Sequence, residues 1–241
     1  MWKAICIFLF FIQFEAVAQQ KAQSFFPVKN ENVRLSSENE RDIQRMVELS
    51  DKEIWTDAEN EEFGCLIEEY NPTLESIWDV VGGGCSWYCG GGNYKILASS
   101  SLKSQSGNSY NAESANDLSY KTAWVEGKED AGIGEHLEYH FEPKSPRITA
   151  IIIANGYMKS DIAWRNNNRV KSLKFYVNGE YFGILNLTDT KSDQRFELGT
   201  FGHNEDGSDL KLKFEINEVY QGDKYNDTAI SEIYFDGIDV H

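Results

Sequence analysis

The sequence predicts an all-β sandwich preceded by a short helical N-terminal extension, and three observations carry that expectation. The apolar period changes from three-and-four to two at about Tyr94. Asn178-Gly179, set between alternating runs that end at Val177 and restart at Tyr181, is the strongest short hairpin signal in the chain. Seven or eight strand-like runs fit into the roughly 150 residues after Tyr94, an ordinary size for a single sandwich domain. No helix-alternating pattern suggests a parallel sheet.

Residues 1–18 read as a secretory signal peptide. Lys3 supplies a basic start, Ala4 to Phe14 is apolar, and Ala16-Val17-Ala18 forms a small-x-small cleavage site. The apolar run is short for a bilayer span and ends in Gln13 and Glu15. No later segment is long and apolar enough to span, so the mature chain is expected to be exported, secreted or periplasmic, with no membrane span.

Residues 19–92 form an acidic helical extension and a Gly/Cys-rich turn. Ser37 with Glu40 is a capping-box pattern, and Ile43, Met46, Val47 and Ser50 trace one narrow helical face. A second helix is expected over Asp57 to Glu69, with Phe63, Leu66, Ile67 and Tyr70 at three-and-four spacing. Both polar faces are dense in acid, so the helices must lie on something larger. Gly82 to Gly92, GGGCSWYCGGG, lacks the Lys-Ser/Thr end of a phosphate loop and opens no dinucleotide-type helix. It is expected to be a sharp turn that carries Trp87 and Tyr88 into a core, braced by a disulfide between Cys85 and Cys89. Cys65 is then left over, and pairing of Cys65 with either of them is the alternative.

Residues 93–241 hold the strands. His136 to Phe141 alternates Leu137, Tyr139 and Phe141 against His136, Glu138 and His140. Ile148 to Ile153 is continuously apolar, which suits a strand buried on both faces. Val170, Leu173, Phe175 and Val177 lead into the hairpin turn, and Tyr181 to Leu187 returns from it. Leu210, Leu212, Phe214 and Ile216 alternate with charged residues, and Ala229 to Phe235 closes the domain.

The formal net charge is −16 and does not change on removing residues 1–18, because Lys3 and Glu15 cancel. Without a basic stripe to displace counterions, nucleic acid is excluded as a partner. The His136, Glu138, His140 set is not a metal triad, since strand spacing holds the two imidazoles about 13 Å apart. No nucleophile elbow, zincin motif or specific carboxylate pair stands out, so no catalytic residues are named and the chain is read as a non-enzyme.

Two constellations point to binding. Ser114 to Glu135 is polar, Gly-broken and rich in turn formers, the composition of an ordered loop. Asp117 offers a carboxylate within a turn, Thr122 a hydroxyl, and Glu232 lies on the last strand, where a sandwich often brings its terminal strands together. Such oxygens suit a calcium ion, which takes about six to eight of them. The second constellation is aromatic and planar-polar: Tyr157 after a buried strand, Trp164 with Asn168 and Arg169 before the next, and Tyr220 and Tyr225 around another loop. Sugars present apolar faces and hydroxyl rims, so an aromatic platform beside planar hydrogen-bonding groups is what they require.

TAWVEG with GIGE, NGYMKS, WRNNNRVK and VYQGDKYNDTAISEIYF, in that order between about Ile96 and Gly237, resemble the NADase-type glycan-binding domain. That family sits within the discoidin and galactose-binding-like superfamily. The resemblance implies a jelly-roll sandwich that binds glycan through its loops. It also implies a structural calcium bridging the early loop and the last strand, through the Ala115 carbonyl, Asp117, Thr122 and Glu232. Leu118 stands where related calcium loops usually have Gly. No NAD glycohydrolase domain accompanies the sandwich, so the association with NAD is not carried over. The leading expectation is a non-catalytic carbohydrate-binding protein. The alternative is an interaction module that uses the same loops or the helices to hold another exported protein.

Overall fold

A computed structural model describes residues 23–33, 35–80, 87, 94–105 and 107–239. The expected alternation produces two facing layers. One contains β3 (Tyr94–Ala98), β5 (His136–Phe141), β10 (Leu210–Tyr220), β7 (Asn168–Val177) and β8 (Glu180–Asn186), in that order. The two-residue β1 (Ser24–Phe25) adds to β8 in parallel. The other layer contains β2 (Lys29–Asn32), β9 (Ser192–Phe196), β6 (Ile148–Asn155) and β11 (Thr228–Gly237), with β4 (Trp124–Val125) on the start of β11. Pairing within the layers is otherwise antiparallel. The layers are joined where Thr228 and Ala229 of β11 run parallel to Asn168 and Arg169 of β7. The described residues are thus an all-β sandwich of eleven strands with three short helices.

The core lies between the layers. Leu137, Tyr139 and Phe141 of β5 and Leu212 and Phe214 of β10 face Ile151 and Ile153 of β6 and Ile233 and Phe235 of β11. The Phe235 ring meets Tyr139 at 5.1 Å and Phe141 at 5.2 Å, both edge-on, the geometry that ring quadrupoles favour. Trp87 is buried beside them, with its ring nitrogen donating to the Pro146 carbonyl at 3.2 Å. Trp87 lies in the core as expected, while Tyr88 and the rest of the 82–92 turn lie outside the described residues. A Cβ on Gly237 would stand 2.7 Å from the Trp87 ring, so the close approach requires glycine.

Strand β6 is buried on both faces, as its continuous apolar run predicts. Ala150, Ile152 and Ala154 point away from the main core and pack with Val80, Tyr120, Met158 and Tyr234. The segment before residue 81 covers this outer face. It is tied to the 118–120 loop by Val80 N to Leu118 O at 3.0 Å and Tyr120 N to Trp78 O at 2.8 Å.

Helices α1 (Ser37–Ser50) and α2 (Asp57–Glu69) pair through Ile43, Met46, Phe63, Leu66, Tyr70 and Leu74. The α1 cap differs from expectation. Ser36, not Ser37, accepts the Asn39 amide at 3.1 Å, and the reciprocal capping box belongs to Thr56 and Glu59 on α2. Leu49 takes the inward place expected of Ser50, because the buried stripe is centred on Met46, with Ile43 and Leu49 three residues to either side. Arg45 grips Glu62 through two hydrogen bonds of 2.9 and 2.8 Å and links the helices. Cys85 and Cys89 lie outside the described residues, and Cys65 is an exposed free thiol on α2.

Four strands were not expected from the sequence. β1, β2 and β4 are two to four residues long, too short for a period to show. β9 reads SDQRF, yet Ser192, Asp193 and Gln194 are buried, with partners for all their side-chain polar atoms except Asp193 Oδ1. The Gln194 amide, for instance, exchanges bonds of 2.7 and 2.9 Å with the Thr188 backbone.

Removing the cross-layer ring should show how much the fold relies on it. Phe235→Ala is expected to lower the unfolding free energy by about 3–5 kcal/mol, read as a fall in urea midpoint at constant m-value.

Candidate functional site

The first constellation assembles where a 3-10 turn (Ala112–Ala115) runs into the 116–122 loop and lies against β11. Asn116 Nδ2 donates to the Ile233 carbonyl at 2.6 Å and anchors the loop on the strand. The Thr122 hydroxyl stands 2.8 and 2.7 Å from the two Asp117 oxygens, and the Ser119 amide donates to Asp117 at 3.1 Å. The same amide donates to Glu232 Oε1 at 2.9 Å. Glu232 is fully buried, and its Oε2 has no hydrogen-bond partner. The Ala115 carbonyl is met by the Tyr139 hydroxyl at 3.4 Å. Leu118 has φ +60, the left-handed conformation that glycine favours.

Burial, and then the charge of nearby Asp117, hold the Glu232 carboxyl well above the usual carboxylate range. Two neighbouring carboxylates, one exposed and one buried with an orphaned oxygen, form an all-oxygen donor set. Its chemistry fits a hard divalent cation. All four residues named from the sequence, Ala115, Asp117, Thr122 and Glu232, are in this one region.

The second constellation divides into framework and pocket. Asn168 is fully buried and clamps the 221–227 loop: its Oδ1 accepts the Gly222 amide at 2.7 Å and its Nδ2 donates to Asn226 O at 2.5 Å. A Cβ on Gly222 would stand 2.5 Å from Asn166 O, so the clamp closes only on glycine. Arg169 is buried and makes a two-pronged contact with Asp189, at 2.8 and 3.0 Å, plus one to Asn167 O at 3.1 Å. Its guanidinium lies 4.6 Å over the Trp164 ring. Trp164, on α3 (Asp161–Asn166), donates from its ring nitrogen to Asn155 O at 3.0 Å. The Tyr220 hydroxyl donates to Leu187 O at 3.0 Å.

Tyr157 and Tyr225 come together instead on a pocket of about 300 Å³ at the rim of the sandwich. Tyr110 stands edge-on to Tyr157 at 6.2 Å and completes an aromatic wall. Gln105, Asn108, Asn166 and Asn167 supply amide groups, and Asp227 a carboxylate. Tyr225 is 42% exposed, and Lys224 lies 4.8 Å over its ring. Burial, followed by Tyr110, pushes the Tyr157 hydroxyl up to about 12, so it stays a neutral donor and acceptor near pH 7. Sequence reasoning missed Gln105, Asn108 and Tyr110. They occupy a polar loop without period, and their only signal is an aromatic among amides.

Residues 87–236 match the family described as the NAD glycohydrolase translocation F5/8 type C domain. The chain belongs to this family. The F5/8 type C match spans both constellations and leaves the helical extension outside it. Among curated proteins nothing matches the chain. Similar solved structures include the CBM32-1, CBM32-2 and M60 catalytic domains of Clostridium perfringens ZmpB, at 16% identity and TM-score 0.44, covering 63% of this chain and 14% of that one. Arabinofuranosyltransferase AftD from Mycobacteria is 14% identical at TM-score 0.43, over 62% of this chain and 11% of that one. CpGH89CBM32-5 from Clostridium perfringens, in complex with GalNAc-β-1,3-galactose, is 16% identical at TM-score 0.41, over 62% and 99%. Likeness at this level carries no argument about ligand.

The F5/8 type C rim therefore holds two kinds of residue that one experiment separates. Arg169→Ala should cost about 2 kcal/mol, because it removes the charge-assisted bonds of a buried guanidinium to the exposed Asp189 and a ring contact. Tyr225→Ala should stay within about 0.5 kcal/mol of the parent. Urea midpoints of the two variants read the difference.

Proposed function

We propose that this chain is a secreted or periplasmic, non-catalytic carbohydrate-binding protein that takes a sugar in the rim pocket. The observation that carries this reading is the lining of that pocket. Three tyrosine side chains offer apolar surface to the C–H face of a sugar ring, while planar amides and one carboxylate address its hydroxyls. Membership of the F5/8 type C family supports the placement of binding at the loop end. The signal-like residues 1–18 support export. Phenol, amide and a single carboxylate can recognise hydroxyls without forming an acid–base pair.

The pocket is small, so affinity is modest. Covering a tyrosine face contributes roughly 25 cal/mol per Å². After the cost of ordering the ligand, one site reaches about micromolar to millimolar Kd. Tight attachment then comes from several copies on one glycan-bearing surface.

Calcium belongs to the reading as a structural ion, held by Asp117, Glu232, Thr122 and the Ala115 carbonyl. Its charge would satisfy Glu232 Oε2 and fasten the 116–122 loop to β11, two steps from the pocket through β4. It has no part in a reaction.

A glycan array on the mature protein should show bound sugars and no turnover. Tyr225→Ala should weaken binding about tenfold while the domain melts as before. Unchanged binding in that variant, or an array with no bound glycan, would overturn the reading.

Calcium at a hundredfold excess over its Kd should add about 2.7 kcal/mol of stability, lost in Asp117→Ala and Glu232→Gln. The pH dependence has a definite sign. In EDTA, Glu232 has a raised folded-state pKa, so its contribution is fully present below about pH 4 and is lost as pH rises through the folded value. With calcium bound that loss should disappear. A melting temperature indifferent to EDTA would remove calcium from the account.

A further inference from the structure

A cavity of about 470 Å³ lies between the helical extension and the outer face of the β9–β6–β11 layer. Ile43, Leu74 and Ile77 provide its apolar walls, and Tyr70 and Tyr120 its aromatic ones. The sheet contributes Asp193, which is 6% exposed. Its Oδ2 accepts the Tyr120 hydroxyl at 2.5 Å and the Tyr234 hydroxyl at 2.9 Å. Its Oδ1 is buried and has no hydrogen-bond partner. Of the cavity's walls only Tyr120 and Asp193 fall within residues 87–236. The cavity is therefore a product of this chain's extension and not of the family fold.

Buried carboxylate oxygens are almost always met by a donor, and leaving one unmet costs free energy. Two hydroxyls already hold Oδ2, so the unmet demand is confined to Oδ1. The remaining charged wall groups, Glu31, Glu69 and Asp79, are also acidic, and among the described residues no lysine or arginine lines the cavity. Burial, against the lowering effect of Tyr120 and Tyr234, pushes the Asp193 carboxyl up to about 6, the direction expected of a site waiting for positive charge.

We propose that this cavity is a second binding site, for a small organic cation whose ammonium group pairs with the Asp193 carboxylate and whose carbon body lies against Ile43, Leu74 and Ile77. Asp193 supplies the charge that pairs with the ammonium, and Tyr70 and Tyr120 line the cavity with rings of the kind that favour a cation. The apolar walls separate an organic ammonium from a hydrated metal ion, which would gain nothing from them. An anion is repelled, and a neutral alcohol of the same shape brings a donor without the charge.

The test uses the whole mature chain, with benzylammonium, benzyl alcohol and benzoate as probes in thermal melts and calorimetry. Benzylammonium at a hundredfold excess over its Kd should raise Tm by about 5 °C, and the alcohol and the acid should not. Asp193→Asn keeps an acceptor for Tyr120 and Tyr234, and it should weaken benzylammonium binding about tenfold or more. Equal shifts from benzylammonium and benzyl alcohol would overturn the proposal, as would no shift from either, the result if ordered water alone serves Oδ1. Undiminished binding to a folded Asp193→Asn would do the same. The comparison of the three probes needs only the wild type, so the proposal stands or falls even if the variant does not fold.

Discussion

Strand β11 runs antiparallel to β6 along most of its length and parallel to β7 at its start, and its register places the core rings and the buried polar residues beneath the 116–122 loop and β9. Ile233 and Phe235 face the core, while Glu232 and Tyr234 face the other way. A slip of one residue would exchange these sets and drive a carboxylate into the ring cluster around Tyr139 and Phe141. The apolar face therefore specifies the register strongly, and the polar residues are carried to fixed places as a consequence. Glu232 arrives under the Ser119 amide, Tyr234 reaches Asp193, and Ser231 accepts the Met158 amide at 3.0 Å.

Three buried carboxylates on this frame are handled differently. Glu126 receives the Thr228 amide at 3.2 Å and the Lys128 amide at 2.7 Å, so backbone donors meet both of its oxygens. Asp193 has one oxygen held by two phenols and one left over. Glu232 has one oxygen on a backbone amide and one left over. An isolated buried charge is too costly to persist, so such a group takes a proton or meets a cation. The contrast with Glu126 is the reason a partner is proposed for the other two.

The rim shows the same division between support and contact. Asn168, Arg169 and Trp164 are anchored by hydrogen bonds, Asn168 holds the 221–227 loop, and the loop in turn presents Tyr225 beside Tyr157 and Tyr110. A planar polar residue next to an aromatic has the same composition whether it touches a ligand or braces the loop that does. Only the location of its hydrogen-bond partners tells the two apart.

The sequence by itself determined the all-β class, the hairpin at Asn178-Gly179, the double burial of β6 and the helical extension, because each rests on a local period or a local turn chemistry. It also brought Asp117, Thr122 and Glu232 to attention, since turn formers and a terminal strand are visible in order along the chain. Tertiary structure alone decided the rest. SDQRF of β9 has no apolar period, and its burial depends on Tyr120, Tyr234 and Thr188, which supply partners from other segments. Tyr110 and Asn108 become pocket walls only when the 102–110 loop folds against Tyr157. The cavity at Asp193 exists only because a helix pair about 150 residues earlier in the chain packs over the sheet. Contacts between segments so far apart leave no periodic trace, because each side satisfies its own local rules whether or not the other is there.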